Sequence, residues 1–354
     1  MTTRIAINGF GRIGRSVLRA LYENRYHPQL QIVAINELAD IDSVSYMLRY
    51  DSTHGRFPGQ VVVEADNCLR INGDLVHLYH ESSPSRLDWS ECQVDIVLEC
   101  SGQIRTRADA EAHLLSGAGK VLISNPADSA VDNTIVYGIN HTDIRPEQRI
   151  ISNSSCSTNC LVPILTLLEE AFGIERGVTT TIHSAMNDQP VIDAYSSDLR
   201  RTRSAGQSII PVDTGLPRGV ARLMPALTGK LESLHLRVPT INVSALDVSL
   251  QLKCDTSAQA VNELIQSAAN GVFRGLLGVT YEPHASIDFN HDPRSCIVDA
   301  TQTRVSAGSM LKLLLWFDNE WGFANRMLDT ALYMKQAPGL ATISGAGDTV
   351  AGSM

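Results

Sequence analysis

An α/β fold followed by a second, mainly antiparallel α+β unit is what the sequence predicts, and two patterns carry the prediction. In the first third, short apolar runs alternate with helix-like segments at residues 5–8, 12–22, 31–36, 94–100 and 106–115. Such alternation is the mark of a parallel sheet joined by helical crossovers. Later the runs become longer and richer in β-branched residues, at 177–183, 231–238, 242–253 and 310–317, with one helix-like segment near 258–269. That succession reads as an antiparallel sheet with helices on one face. A chain of 354 residues also exceeds the usual span of one core, so two domains are expected.

Along the chain, residues 61–79 carry short runs separated by Gly- and Asn-containing turns, which predict antiparallel hairpins inserted into the first sheet. Further strands are expected at 120–123, 134–137 and 149–152, followed by a helix over 156–172. Residues 184–211 form a long Gly-, Ser- and Arg-bearing connection, of the kind that usually serves function. From Glu320 to Lys335, Phe323, Met327, Leu328, Ala331 and Met334 fall at helical spacing, so this segment is expected to return to the first domain. The Gly-, Ala-, Ser- and Thr-rich segment 337–354 reads as a flexible tail. The expected units are therefore 1–153, 154–318, the returning helix 319–336 and the tail.

Composition narrows the function. The chain is 44% hydrophobic and 19% charged, and it has no run near the ~20 apolar residues that a membrane helix needs. A net charge of -9 disfavours nucleic acid as a general partner, since phosphate neutralisation needs a basic surface. Seven scattered cysteines are an odd number and suggest reduced thiols; with no apolar signal core after Met1, a cytoplasmic location is expected.

The motif Gly9-Phe10-Gly11-Arg12-Ile13-Gly14 lies between a predicted strand and a predicted helix. There the glycines allow a tight turn and close approach of backbone amides to a pyrophosphate at the helix N-terminus, the Rossmann arrangement. A second strand ends at Glu37, near where an acidic ribose ligand is expected about 20 residues on. Its charge would repel the extra phosphate of NADP, so NAD is the expected cofactor. The bland alternative for Glu37 is a solvated loop residue.

The stretch Ser152-Asn153-Ser154-Ser155-Cys156-Ser157-Thr158-Asn159-Cys160 ends a strand and opens a helix. Unfilled amides and the helix dipole are then expected to lower the Cys156 pKa and favour a nucleophilic thiolate, whereas an isolated cysteine is more often an inert core residue. Cys160, four positions on, reads as structural, because no neighbouring His/Cys set completes a metal site. No metal is expected. His183 closes a β-rich run and opens the long connection; beside Cys156 it could act as a base, while periodicity alone makes it a hydrogen-bonded structural histidine.

These motifs, with Asp198-Leu199-Arg200-Arg201, Ser208-Ile209-Ile210-Pro211, Arg237-Val238-Pro239-Thr240 and Trp316-Phe317-Asp318-Asn319-Glu320-Trp321-Gly322, resemble the glyceraldehyde-3-phosphate dehydrogenase family over nearly everything except the tail. The resemblance implies Cys156 as nucleophile and His183 as its base, with Gly9, Gly11, Arg12, Ile13, Gly14, Glu37, Ser124 and Asn319 at NAD. It further implies that Ser155, Ser157, Arg201, Thr214, Gly215 and Arg237 surround a phosphorylated sugar aldehyde, and that the chain forms a homotetramer. Without it, Arg200, Arg201 and Arg203 read as a solvated basic cluster.

Departures from the family pattern bear on the substrate. After the histidine, glycolytic members usually carry a Tyr-Thr pair whose threonine helps hold the phosphate; here Met186 stands in that segment and cannot make the bond. Together with 239–243, 288–293 and 301–305, this resembles the branch that oxidises D-erythrose 4-phosphate and releases the acid with water. Ser157 keeps the hydroxyl of the more usual threonine, and Ser82 replaces an arginine that relatives often place near the cofactor.

Overall fold

The computed structural model describes residues 2–24, 26 and 28–336, so the expected tail at 337–354 lies outside the described residues. The first sheet has nine strands. Its central strand Thr3–Asn8 lies between Leu30–Asn36 and Ile96–Glu99, parallel to both. Lys120–Ile123, Ile150–Ser152 and Asn133–Thr134 extend it in parallel on one side, while the hairpins Val61–Ala65, Cys68–Ile71 and Asp74–Tyr79 complete it on the other. The α/β expectation is met, and the reason is local: Ile5, Ile7, Ile32, Ile35 and Leu98 are all fully buried, as strands covered on both faces require.

Helices Arg12–Glu23 and Arg107–Leu115 follow two of these strands. Helix Ile41–Arg49, absent from the sequence reading, starts where the Asp40 carboxylate accepts the Ser43 amide at 2.8 Å, an N-cap that replaces a missing backbone partner.

A buried chain of hydrogen bonds ties the C-terminal ends of the three central strands together. Asn36 Nδ2 donates to Asn8 Oδ1 at 2.7 Å, Asn8 Nδ2 to Glu99 Oε2 at 2.5 Å, and His113 Nε2 lies 3.0 Å from the same carboxylate. Trp89 Nε1 approaches His113 Nδ1 at 3.1 Å, and an indole can only donate. His113 therefore accepts at Nδ1 and donates from Nε2 to Glu99. The loops above these strand ends face the crevice in which ligands of open parallel sheets bind.

The second sheet is mixed but mainly antiparallel, in agreement with the α+β expectation. Ile174–Ser184 pairs antiparallel with Ser244–Leu252, which pairs antiparallel with Met310–Phe317. The parallel exceptions are Ile174–Ser184 beside Leu231–Val238, and Leu277–Thr280 beside Cys296–Asp299. Helices Cys156–Phe172 and Ala258–Asn270 contribute Leu161, Ile164, Leu165, Val261 and Ile265 to the core on one face of the sheet.

Helix Trp321–Gln336 leaves the second sheet and buries Trp321, Phe323, Ala324, Met327, Leu328, Ala331 and Met334 in the core of the first. Because Met327 is fully buried there, Met327→Ala should lower the unfolding free energy by roughly 2–5 kcal/mol. Denaturant titration checks this; an unchanged midpoint would mean that the helix does not dock on the first domain.

Candidate active site

The strand ends of the first sheet face the second domain across a cavity of about 830 Å³. Gly11, Arg12, Ile13, Ser124 and Asn319 line one part of it; Ser155, Cys156, Ser157, His183, Met186, Thr214, Gly215 and Arg237 line the rest. Gly9, Gly14, Glu37 and Arg201 stand outside this lining.

The glycine positions show what the first part can hold. Gly9 has φ +88°, and a Cβ there would lie 2.5 Å from Ser101 Cα; at Gly14 it would lie 2.2 Å from Gly9 O. These two glycines permit the turn and its packing. At Gly11 a Cβ would meet nothing within 4 Å, so the backbone faces open space. Helix Arg12–Glu23 also has no side-chain cap, which leaves first-turn amides available to an anion. This cradle fits a dinucleotide pyrophosphate.

The neighbouring side chains brace the cradle. Glu37 Oε2 accepts the Phe10 amide at 2.8 Å and Oε1 accepts the Leu38 amide at 2.7 Å, so the carboxylate pins the glycine turn to the end of the second strand. Arg12 Nε donates to Glu320 Oε1 at 2.7 Å and the guanidinium also pairs with Asp51. What this position offers a phosphate is therefore its main chain. Asn319 Oδ1 accepts from Ser244 Oγ at 2.8 Å and from Ser184 Oγ at 3.1 Å, which fixes its amide at the cavity wall.

Cys156 is the first residue of helix Cys156–Phe172, capped by Ser155, whose hydroxyl accepts the Thr158 amide at 3.1 Å. Its Sγ lies 3.7 Å from His183 Nε2. The expected lowering of the thiol pKa is not what the folded site does: burial raises it. The Ser157 hydroxyl, the Arg237 charge and the amides of Ser157 and Cys156 pull the other way without overcoming burial. A helix start supplies donors, but the surrounding protein decides how much solvent they must replace.

His183 is the penultimate residue of strand Ile174–Ser184 and lies in register with Arg237 of the adjacent parallel strand. Burial pushes its pKa down to about 3, Arg237 adds to this, and the ring is neutral at ordinary pH. Nδ1 is 2.9 Å from both Ser184 O and Arg237 Nη1. The His235 ring stacks on it with centroids 5.1 Å apart. Thr214 and Gly215 lead into helix Leu216–Leu223, whose backbone start faces the same space. Arg201 instead donates to Asp188 Oδ2 at 2.7 Å and pairs with Asp198 at 3.2 Å.

Among the cavity residues that escaped the sequence reading are Arg105, Arg218 and His235. For His235 a signal existed, since two residues before Arg237 on one strand means the same face. For Arg105 and Arg218, in a loop and in a helix opened by Pro217, no periodicity marked the direction.

The neutral state of His183 has a consequence for stability. Unfolded histidine titrates near 6.5, so below that pH the unfolded chain binds a proton that the folded ring refuses until about 3. Stability is therefore full above pH 6.5 and lost as pH falls, by about 2 kcal/mol from this residue at pH 5. His183→Asn should show a correspondingly shallower decline between pH 6.5 and 5 in urea unfolding; identical slopes would refute the buried neutral ring.

Among the described residues no helix is long and apolar enough to cross a membrane. Comparison with family models matches residues 3–107 to the glyceraldehyde 3-phosphate dehydrogenase NAD-binding domain and residues 155–319 to the C-terminal domain of the same enzyme family. The matched halves meet at the cavity, with the glycine cradle in one and His183 and Arg237 in the other. With an NAD-binding domain and its partner domain in family order, the chain belongs to the glyceraldehyde 3-phosphate dehydrogenase family of NAD-dependent dehydrogenases.

Proposed function

We propose that the chain is a D-erythrose-4-phosphate dehydrogenase, converting D-erythrose 4-phosphate to 4-phosphoerythronate for pyridoxal 5'-phosphate biosynthesis. The observation that carries the reading is the 3.7 Å approach of Cys156 Sγ to His183 Nε2 in a cavity shared with Arg237, Thr214, Gly215 and Met186.

Cys156 is assigned as the nucleophile: its sulfur bonds to the aldehyde carbon and gives a thiohemiacetal. His183 Nε2 takes the proton of the hemiacetal hydroxyl as the substrate is oxidised, help of a kind that contributes about 10²- to 10⁴-fold. Bound NAD supplies the hydride acceptor. Gly9, Gly11, Arg12, Ile13, Gly14, Glu37, Ser124 and Asn319 are assigned to its site, by contact or by shaping the turn. The thioacyl group on Cys156 is then released by water, which breaks the C–S bond and restores the thiol.

Ser155, Ser157, Arg201, Thr214, Gly215 and Arg237 are assigned to the substrate and its phosphate, a setting in which guanidinium, hydroxyl and amide donors all suit phosphate oxygens. Arg201 enters this set by exchanging its contacts with Asp188 and Asp198. Support for the longer aldehyde comes from Met186, a cavity residue with no hydrogen bond to give a phosphate at the position where triose enzymes use threonine. Exposed Val191, Ile192, Leu199 and Ile209 in the long connection support burial between subunits of a tetramer.

Initial rates with D-erythrose 4-phosphate and glyceraldehyde 3-phosphate, each with and without inorganic phosphate, test the substrate. The expected result is preference for the tetrose without a phosphate requirement; triose preference with an absolute requirement would identify a phosphorylating enzyme instead. Cys156→Ala should lose activity by on the order of 10⁴-fold or more, as removal of a nucleophile does. Saturable NAD binding without aldehyde-dependent NAD reduction in the unaltered chain would leave a silent binding protein. Sedimentation should return the mass of four chains, and a monomer would refute the assembly.

A further inference from the structure

Among the described residues five arginines line the cavity, and three of them are already engaged. Arg12 is bound to Glu320 and Asp51, Arg222 Nη1 donates to Ala127 O at 3.0 Å and to Thr134 Oγ1 at 2.9 Å, and Arg237 Nη1 lies 2.9 Å from His183 Nδ1. Arg105 and Arg218 differ: among the described residues neither guanidinium has a hydrogen-bond or ion-pair partner.

The two stand on opposite walls. Arg105 follows the strand Ile96–Glu99 of the first domain, in a loop where its carbonyl accepts the Asp128 amide at 2.9 Å. Arg218 belongs to the first turn of helix Leu216–Leu223 in the second domain, with Nη2 3.7 Å from the place that a Cβ on Gly215 would take. Arg222 lies one turn further along the same helix face, and its bond to Ala127 O ties that face to the segment beside Arg105. A Cβ on Gly219 would come 3.2 Å from Thr158 Oγ1, so the same helix also rests on the first turn of the Cys156 helix. Both free guanidiniums therefore face one cavity across the domain seam. They are exposed whereas Arg237 is buried, which puts them at the mouth.

Two like charges at one opening repel unless an anion lies between them. The carboxylates of the lining do not fill that place: Glu320 is taken by Arg12 and His54, and Asp213 makes no ion pair with either arginine. Each guanidinium fork matches two phosphate oxygens, and helix Leu216–Leu223, which has no side-chain cap, adds unfilled first-turn amides beside them.

We propose that Arg105 and Arg218 grip the terminal phosphate of the sugar aldehyde at the cavity mouth. With the aldehyde carbon on Cys156 Sγ, a tetrose carries its phosphate one C–C bond, about 1.5 Å, further from the thiol than a triose does. Met186 takes a donor from the inner reach of the cavity, and the two free guanidiniums supply donors further out. The inference rests on the reading that a phosphorylated aldehyde is oxidised on Cys156, and it adds the place of the phosphate.

Initial rates of the full chain, saturated with NAD, on D-erythrose 4-phosphate and on D-erythrose test the grip. Arg105→Met and Arg218→Met should each lower the ratio of kcat/KM for the phosphorylated aldehyde to that for the free one by on the order of 10- to 100-fold, mainly through KM, as loss of a charge-assisted bond does. Arg218→Lys, which keeps the charge without the fork, should recover part of the loss. An unchanged ratio in either Met variant would overturn the proposal, as would an equal fall on both aldehydes, which marks a structural role. NAD binding weakened by the same factor would assign the guanidiniums to the cofactor's pyrophosphate and overturn it too.

The same ratios for glyceraldehyde 3-phosphate and glyceraldehyde separate the grip from the substrate reading. Triose preference with a ratio that collapses in the Met variants would keep the grip and sink the tetrose; tetrose preference with unmoved ratios would do the reverse. If the chain oxidises neither aldehyde, calorimetric titration of the NADH complex with 4-phosphoerythronate decides: weaker binding in the Met variants supports the grip, and equal binding overturns it.

Discussion

Three residues separate the strand Ile150–Ser152, the last of the NAD-binding sheet in chain order, from the helix that carries the thiol, and the hydrogen bonds across 152–156 keep both halves of the site in register. Asn159, one turn into the helix, donates from Nδ2 to Asn153 O and Ser155 O, each at 2.9 Å. Thr330 of the returning helix donates to Asn153 Oδ1 at 2.8 Å, and Ser152 Oγ donates to Asn125 O at 2.7 Å. Ser154 is held at φ +60°, a left-handed conformation that costs roughly 1–2 kcal/mol for a residue with a Cβ. The surrounding bonds over-determine it. Cys156 thus leaves this turn with its sulfur toward His183, although the two come from different elements.

Burial and local donors compete throughout the site, and burial sets the sign. At Cys156 a hydroxyl, two amides and a guanidinium favour the thiolate, yet removal from water outweighs them. At His183 the same exclusion removes the proton that a free imidazole would share with solvent. Both partners are held neutral at rest. A proton passing between them creates an ion pair where none existed, in surroundings that strengthen its attraction more than water would.

Much of this was legible because it is periodic or local. The alternation of apolar runs located the parallel strands, Gly9, Gly11 and Gly14 marked the turn, and Ser155 marked the start of the Cys156 helix. Residues 41–49 were passed over, although Asp40 three positions before Ser43 is a capping signal. Helix Leu216–Leu223 is absent from the sequence reading, although Pro217 lies within its first turn, where proline favours a start. What no local reading reaches is strand register. The pairing of His183 with Arg237, and of Thr181 with His235 beside it, depends on a parallel crossover between strands far apart in the chain. The raised thiol pKa depends on that assembly too. The family resemblance supplied the role of Arg237, but not its contact with the base.

The returning helix also has a meaning for the order in which the molecule is made. Synthesis proceeds from the N-terminus, so Gly9 to Gly14 and Cys156 leave the ribosome well before Asn319 and Glu320. Those late residues brace the cofactor side of the cavity, through the Ser184 and Ser244 hydroxyls and through Arg12. Thr330 later still secures the turn before the thiol. A nascent chain therefore carries the thiol and the cofactor cradle without their final supports, and the site reaches its working geometry only after residues 319–330 have been made and have docked.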